Sequence, residues 1–143
     1  MKISSPGRPK DFQIPLILEW EEILQGPPTR VCPRETETEW FYHCHKKRKT
    51  LQFGSIENYL RVATNDPFED VVFLKNIFPY KCPLDIRHYV AWIKQGRSYT
   101  SEQVLILARE RFPNCEVAAW ENIPTNRSIN SIRHYHVFVR PSF

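Results

Sequence analysis

The chain has 143 residues, enough for one domain with a sizeable core. Hydrophobic residues make up 41% and aromatic residues 13%, which excludes a chain that stays unfolded for want of apolar surface. The formal net charge of +4 is mild: it makes nucleic acid an unlikely partner and suits an anionic small ligand gathered by a positive cleft.

Residues 1–13 read as a disordered lead, since Ser4-Ser5-Pro6-Gly7-Arg8-Pro9 offers little to bury, and residues 14–143 read as a single domain. No apolar stretch follows the basic start, so no signal peptide is expected, and no run reaches membrane-spanning length. Cys32, Cys44, Cys82 and Cys115 are widely spaced without a CxxC. That spacing predicts free thiols in a reduced, intracellular setting, cytoplasmic or nuclear.

Leu16, Trp20, Ile23 and Leu24 share one helical face after Pro15, and Gly26-Pro27-Pro28 ends that helix. A second helix is predicted from Arg34 to Lys49, with Glu35, Glu37 and Glu39 at its start and Lys46-Lys47-Arg48-Lys49 at its end. The basic run reads as a solvated helix end, with nuclear import and phosphate contact as the other uses. His43-Cys44-His45 lies on this helix at steps of about 100°, so its members cannot all face one metal; no metal site and no cofactor are expected.

A third helix follows Gly54, packed through Ile56, Tyr59, Leu60 and Ala63. Val71-Val72-Phe73-Leu74 then predicts a strand, and Pro79 and Pro83 punctuate an extended loop. Cys82 in that loop has the basic neighbour Lys81, which would lower a thiol pKa. His88 to Lys94 predicts a second strand. Thr100 or Ser101 caps a helix to about Phe112, and Pro113-Asn114 stops it. Cys115 to Trp120 and His134 to Arg140 complete the strands. Most tryptophans sit in apolar patterns and read as core; Trp120, followed by Glu121-Asn122 at a strand end, is the candidate exception for stacking on a sugar or base. The order is that of an α+β domain: N-terminal helices, then an antiparallel sheet with a covering helix.

Chemistry concentrates in the last strand. In Ser131-Ile132-Arg133-His134-Tyr135-His136-Val137-Phe138, alternation places His134 and His136 on one face. An imidazole serves as nucleophile, acid or base near neutrality. Asn130, Ser131 and Arg133 precede the pair and Arg140 follows it, as donors and cations for a phosphorylated ligand. Asn76, after the first strand, is a candidate contact to a ribose hydroxyl, beside the commoner use of an asparagine before a turn as a cap of local backbone.

The motifs Trp20-Glu21-Glu22-Ile23, Phe53-Gly54-Ser55-Ile56-Glu57-Asn58-Tyr59-Leu60, Asn76-Ile77-Phe78-Pro79-Tyr80, His88-Tyr89-Val90-Ala91-Trp92 and Ser131 to Phe138 come in a fixed order. Over roughly residues 16–140 this order resembles the N-acetylglucosamine-induced protein family of fungi and some large DNA viruses, whose activity is undefined. A more distant resemblance is to histidine-triad proteins, through the His88 strand and the final His134-Tyr135-His136-Val137-Phe138 strand. It implies a histidine-triad-like fold, His136 as nucleophile on a nucleotide phosphate, His134 and His88 in support, and a homodimer. Phe138 stands where the triad has its last histidine, and the segment from Pro79 to His88 is longer than the triad pattern. The enzyme expectation is therefore a nucleotide or nucleotide-sugar phosphoester hydrolase or transferase. Beside it stands a non-catalytic ligand-sensing or protein-interaction module.

Overall fold

Helices come first and the sheet follows. The structure, a computed structural model, describes residues 17–127, 129 and 131–142. The lead over residues 1–13, Leu16 and Asn130 lie outside the described residues. Helix α1 (Trp20–Leu24) is shorter than its apolar spacing predicted, and it buries Trp20 and Ile23.

Helix α2 (Thr36–Phe53) has Glu37 and Glu39 in its first turn, where carboxylates meet the positive end of the helix dipole. It continues past Lys49, so the basic run Lys46-Lys47-Arg48-Lys49 lies inside the helix and not at its end, against the sequence expectation. Gly54 then takes φ of 88°, a left-handed conformation that glycine adopts without a Cβ clash. The turn feeds α3 (Ile56–Ala63), whose cap Ser55 accepts from the Asn58 N–H at 3.0 Å.

Strands β1 (Val71–Lys75), β2 (Arg87–Ile93), β3 (Cys115–Trp120) and β4 (His134–Pro141) form one antiparallel sheet in the order β1-β2-β4-β3. Helix α4 (Ser101–Arg111) lies between β2 and β3 in sequence. A capping box opens it: Thr100 Oγ1 accepts from Gln103 N, and the Gln103 side chain accepts from Thr100 N. The chain is thus an α+β domain, helices followed by a four-stranded antiparallel sheet that α4 covers on one side.

Alternation splits the strands between two faces. Val71, Ala91, Ile93, Tyr135, Val137 and Val139 meet Val104 and Ala108 of α4 in one apolar core. The opposite face carries His88, His134, His136 and Phe138. At its β3 end Phe138, Ala118 and Trp120 pack with Leu18, Trp20, Ile23 and Tyr80. The loop between β1 and β2 is anchored there by backbone bonds from Leu18 N to Lys81 O and from Lys81 N to Pro33 O, each 2.7 Å. No helix among the described residues is long and apolar enough to cross a membrane.

Candidate functional site

Where the histidine face leaves that second core, it opens into a cleft of about 370 Å³. That volume falls in the range of small-ligand sites. Its floor is Leu74, Val90, Trp92, His134 and His136 of the sheet; its roof is Tyr42 and His45 of α2 with Ile56, Tyr59, Leu60 and Ala63 of α3. Arg34, Lys75, Asn76, Phe78, Tyr80 and Asn122 lie along its sides, and no carboxylate lines it among the described residues.

Antiparallel register makes the histidines converge. His88 pairs with Phe138 and His136 with Val90, so His88 and His136 are diagonal neighbours on one face. Their Nε2 and Nδ1 atoms are 2.7 Å apart. Proton positions follow from a backbone group. The Tyr80 N–H donates to His88 Nδ1 at 3.2 Å, so His88 carries its own proton on Nε2. His88 Nε2 therefore donates to His136 Nδ1, and neutral His136 carries its proton on Nε2.

That Nε2–H faces Asn122 at 3.2 Å and Tyr80 Oη at 3.4 Å. Asn122 Nδ2 also lies 2.8 Å from Tyr80 Oη, while Asn122 Oδ1 is buried without a partner. Half a turn of the Asn122 amide brings Oδ1 to the two donors, the His136 Nε2–H and the Tyr80 hydroxyl, in exchange for the long 3.4 Å bond from Nδ2 to Asn126 O. The chain Tyr80 N–H, His88, His136, Asn122 is then complete. Burial pushes His88 down to about 3, with the Arg34 charge adding to it. Burial likewise holds His136 well below its ordinary value, reinforced by His88, His134 and Arg34. Burial pushes the Tyr80 hydroxyl up to about 12. All three groups are neutral at physiological pH.

His134 is arranged differently. Its Nδ1–H donates to the Ile132 carbonyl at 2.8 Å, which leaves the lone pair on Nε2. Nε2 has no hydrogen-bond partner among the described residues. The ring packs on Trp92, its cross-strand partner, at a centroid distance of 4.7 Å. Burial lowers the His134 pKa and the Arg127 charge adds to that, against the Ile132 carbonyl and Glu121. His134 is thus an imidazole with its tautomer set by the backbone and one nitrogen free beside a cleft.

The other predicted residues divide. Asn76 lines the cleft, but its Oδ1 already accepts from the Phe78 N–H at 2.9 Å. Arg133 lies outside it, paired with Glu121 at 2.9 Å and bonded to the Tyr135 hydroxyl. Arg140 is also outside, paired with Glu116 at 2.9 Å and set over the Trp20 ring. Ser131 is exposed and does not line the cleft. Trp120, the candidate exception among the tryptophans, is core after all: it is buried and donates its Nε1–H to Ile23 O at 2.9 Å, and Trp92 is the tryptophan at the cleft. Cys82 is not activated by Lys81: burial pushes its thiol up to about 12. All four cysteines are free.

Sequence reasoning missed the roof and sides. The Arg34 guanidinium lies over both Tyr42 and Tyr80, at 4.9 and 4.8 Å, and its Nε donates to Phe78 O. His45 packs on Phe78 and on the edge of Tyr59, at 5.1 and 5.5 Å. Asn122 and Tyr80 close the histidine chain from loops whose positions no strand or helix pattern reveals.

The fold is similar to that of a solved structure, the crystal structure of HTC1. Sequence identity is 19%, the match covers 85% of this chain and 84% of that chain, and the TM-score is 0.54. At that identity the likeness bears on the fold alone. No family model matches the chain, and no curated protein matches it.

Proposed function

We propose that the cleft binds a nucleotide or nucleotide-sugar and that the protein is a histidine-triad-like phosphoester hydrolase or transferase, with a strand histidine as nucleophile. The observation that carries this is the His134 Nδ1–H bond to the Ile132 carbonyl, which keeps Nε2 unprotonated. Histidine at this strand face, the absence of cleft carboxylates among the described residues and the aromatic roof all suit a phosphorylated ring compound. The resemblance of the His88 and His134–Phe138 strands to histidine-triad proteins supports the same class.

The attacking role goes to His134 in preference to His136, which the sequence resemblance had favoured. His136 Nε2 bears a proton in the neutral network and has no lone pair to offer there. In the reaction, His134 Nε2 forms a bond to phosphorus while the bond from phosphorus to the leaving oxygen breaks, the electron pair departing with that oxygen. The positive charge on His134 is stabilised through Nδ1–H by the Ile132 carbonyl. Water or an acceptor hydroxyl then displaces His134 and yields the product. His88, His136 and Asn122 spend their polar groups on one another and hold the cleft floor beside His134.

The test is intact-mass detection of an acid-labile phospho- or nucleotidyl-histidine after mixing with adenosine nucleotides and UDP-N-acetylglucosamine. An adduct and turnover are expected in the wild type and absent in His134→Asn. Full turnover in folded His134→Asn sinks the reading.

One observation favours the non-catalytic module. Phe138 is fully buried and stacks on His88 at 4.5 Å, so an apolar ring fills the site of a third histidine. In that case the same ligands raise the melting temperature without being consumed.

A further inference from the structure

Strand β1 is an edge of the sheet and pairs with β2 alone. The bonds from Lys94 N to Asp70 O and from Asn76 N to His88 O, at 2.7 and 2.9 Å, set the phase of that pairing. Residues two apart turn their backbone groups the same way. Val72 and Leu74 therefore bond to β2, while Val71, Phe73 and Lys75 point their N–H and C=O groups outward. Those groups have no hydrogen-bond partner among the described residues. Edge strands are normally shielded by a proline, a bulge or an inward charge. Val71-Val72-Phe73-Leu74 carries none of these.

A groove of about 380 Å³ lies beside this edge, on the α4 side of the sheet. Val71, Phe73 and Leu107 give it an apolar wall. Asp66, Glu69, Asp70 and Glu110 bring four carboxylates to it, against the single guanidinium of Arg111, which lies over the Phe73 ring. Asp70 is already held by Arg97 at 3.3 Å and by the Tyr99 hydroxyl at 3.2 Å, and Asp66 accepts from the Phe68 and Glu69 N–H groups. The carboxylates of Glu69 and Glu110 have no ion pair or hydrogen bond among the described residues.

We propose that the β1 edge docks a basic, extended segment of a partner protein, added antiparallel to β1 as a fifth strand, with lysine or arginine side chains turned to Glu69 and Glu110. This site stands apart from His134, on the other face of the sheet. In antiparallel addition, the partner residues that bond to Val71 and Phe73 turn their side chains to the same face as those two, which is the groove face. Main-chain bonds supply affinity, and alternate side chains supply specificity. A second copy of this chain matches the groove poorly. Its β1 would bring the apolar Val71 and Phe73 to that face, and its one cation, Lys75, lines the cleft on the opposite face. Glu69 and Glu110 would then stay without a counter-charge.

The probe is a fluorescein-labelled synthetic peptide of alternating lysine and valine, long enough to span β1, into which the whole protein is titrated by anisotropy at physiological ionic strength. It is expected to bind at least about tenfold tighter than the same peptide with glutamate for lysine. N-methylation of the lysine backbone nitrogens, which face β1, should weaken binding at least about tenfold, and N-methylation of the valine nitrogens, which face solvent, less than about threefold. Glu69→Gln with Glu110→Gln should weaken it at least about fivefold. Glu37→Gln with Glu102→Gln removes the same charge at exposed sites outside the groove and should leave affinity within about twofold.

Equal affinity for the lysine and glutamate peptides overturns the proposal. So does equal tolerance of the two N-methylated peptides, which would mean contact through side chains alone. An equal loss in the two glutamine pairs would mark a diffuse field and overturns it as well. Replacing Lys2, Arg8 and Lys10 by glutamine is expected to leave peptide affinity unchanged; a gain of more than about fivefold would assign the edge to the chain's own basic start. A dimer in sedimentation that the lysine peptide dissociates would assign the edge to a second copy. Either result removes the partner protein from the site.

Discussion

The two faces of the sheet are built from the same four strands yet meet opposite chemistry. Toward α4, β4 presents Tyr135, Val137 and Val139, and Val104 and Ala108 close over them with no solvent left at either. Toward the helical hairpin, the alternate residues are His134, His136 and Phe138, and the covering helices α2 and α3 bury none of their own side chains. The first face is complete as a core. The second stops short of closure, and the space it leaves is the cleft. A period-two strand can thus supply stability on one side and a site on the other, with no residue needed for both.

Experiments can break this division at several points. The largest effect belongs to His134→Asn. Turnover is expected to fall by a factor on the order of 10³ to 10⁶, as for loss of a nucleophile, with stability changed by less than about 1 kcal/mol. Steady-state rates and urea unfolding on one preparation read both. A large loss of stability would mean that His134 belongs to the core after all.

Phe138→Ala should do the reverse of this on the same strand. Phe138 is fully buried against Trp120, Tyr80 and His88, so truncation is expected to cost about 3–5 kcal/mol in urea unfolding. A cost under about 1 kcal/mol would place Phe138 in an adaptable pocket.

The buried histidines give a pH signature. His88 is neutral when folded, with its pKa pushed down to about 3, against an ordinary value of 6.5 in the unfolded chain. Between those values the unfolded chain binds more protons, so stability falls as pH falls. Its full contribution is present above the unfolded value and is lost on the way down to the folded one. In that window His88 alone contributes a slope of about 1.4 kcal/mol per pH unit. His136, shifted in the same direction by burial, adds to it. His88→Gln should make the acid limb shallower by about that slope, measured by urea unfolding at successive pH values. An unchanged slope would mean that His88 is charged when folded.

The smallest effect lies at the far side of α4. Thr100→Ala removes the capping box and should cost about 1 kcal/mol without altering turnover or nucleotide affinity. Any change in turnover there would couple the two faces.

Much of this architecture is written locally. Alternation alone places His134 and His136 together and delimits Cys115–Trp120 as a strand, because neighbouring side chains on a pleat must point opposite ways. Gly54-Ser55 marks the turn between α2 and α3, and Thr100 marks the start of α4, because orphan backbone groups at helix ends need those residues. Residue spacing also held a signal in Tyr42 and His45, three apart on α2, but such a pair reads as a solvated face until the sheet is seen opposite it.

Other facts had no local carrier. Arg133 and Arg140 flank the histidines in sequence and point to their own carboxylates, because their partners Glu121 and Glu116 arrive from elsewhere in the chain. The partnership of His88 with His136 depends on the register of β2 against β4, set by strand pairing over long sequence separation. The proton positions of His88 and His136 depend on the Tyr80 N–H, which reaches His88 from the loop before β2. The sequence determined which residue types face each side of the sheet, since that follows from covalent geometry. The tertiary structure alone decided the tautomers of His88 and His136, since each is chosen by a partner that folding delivers from another segment.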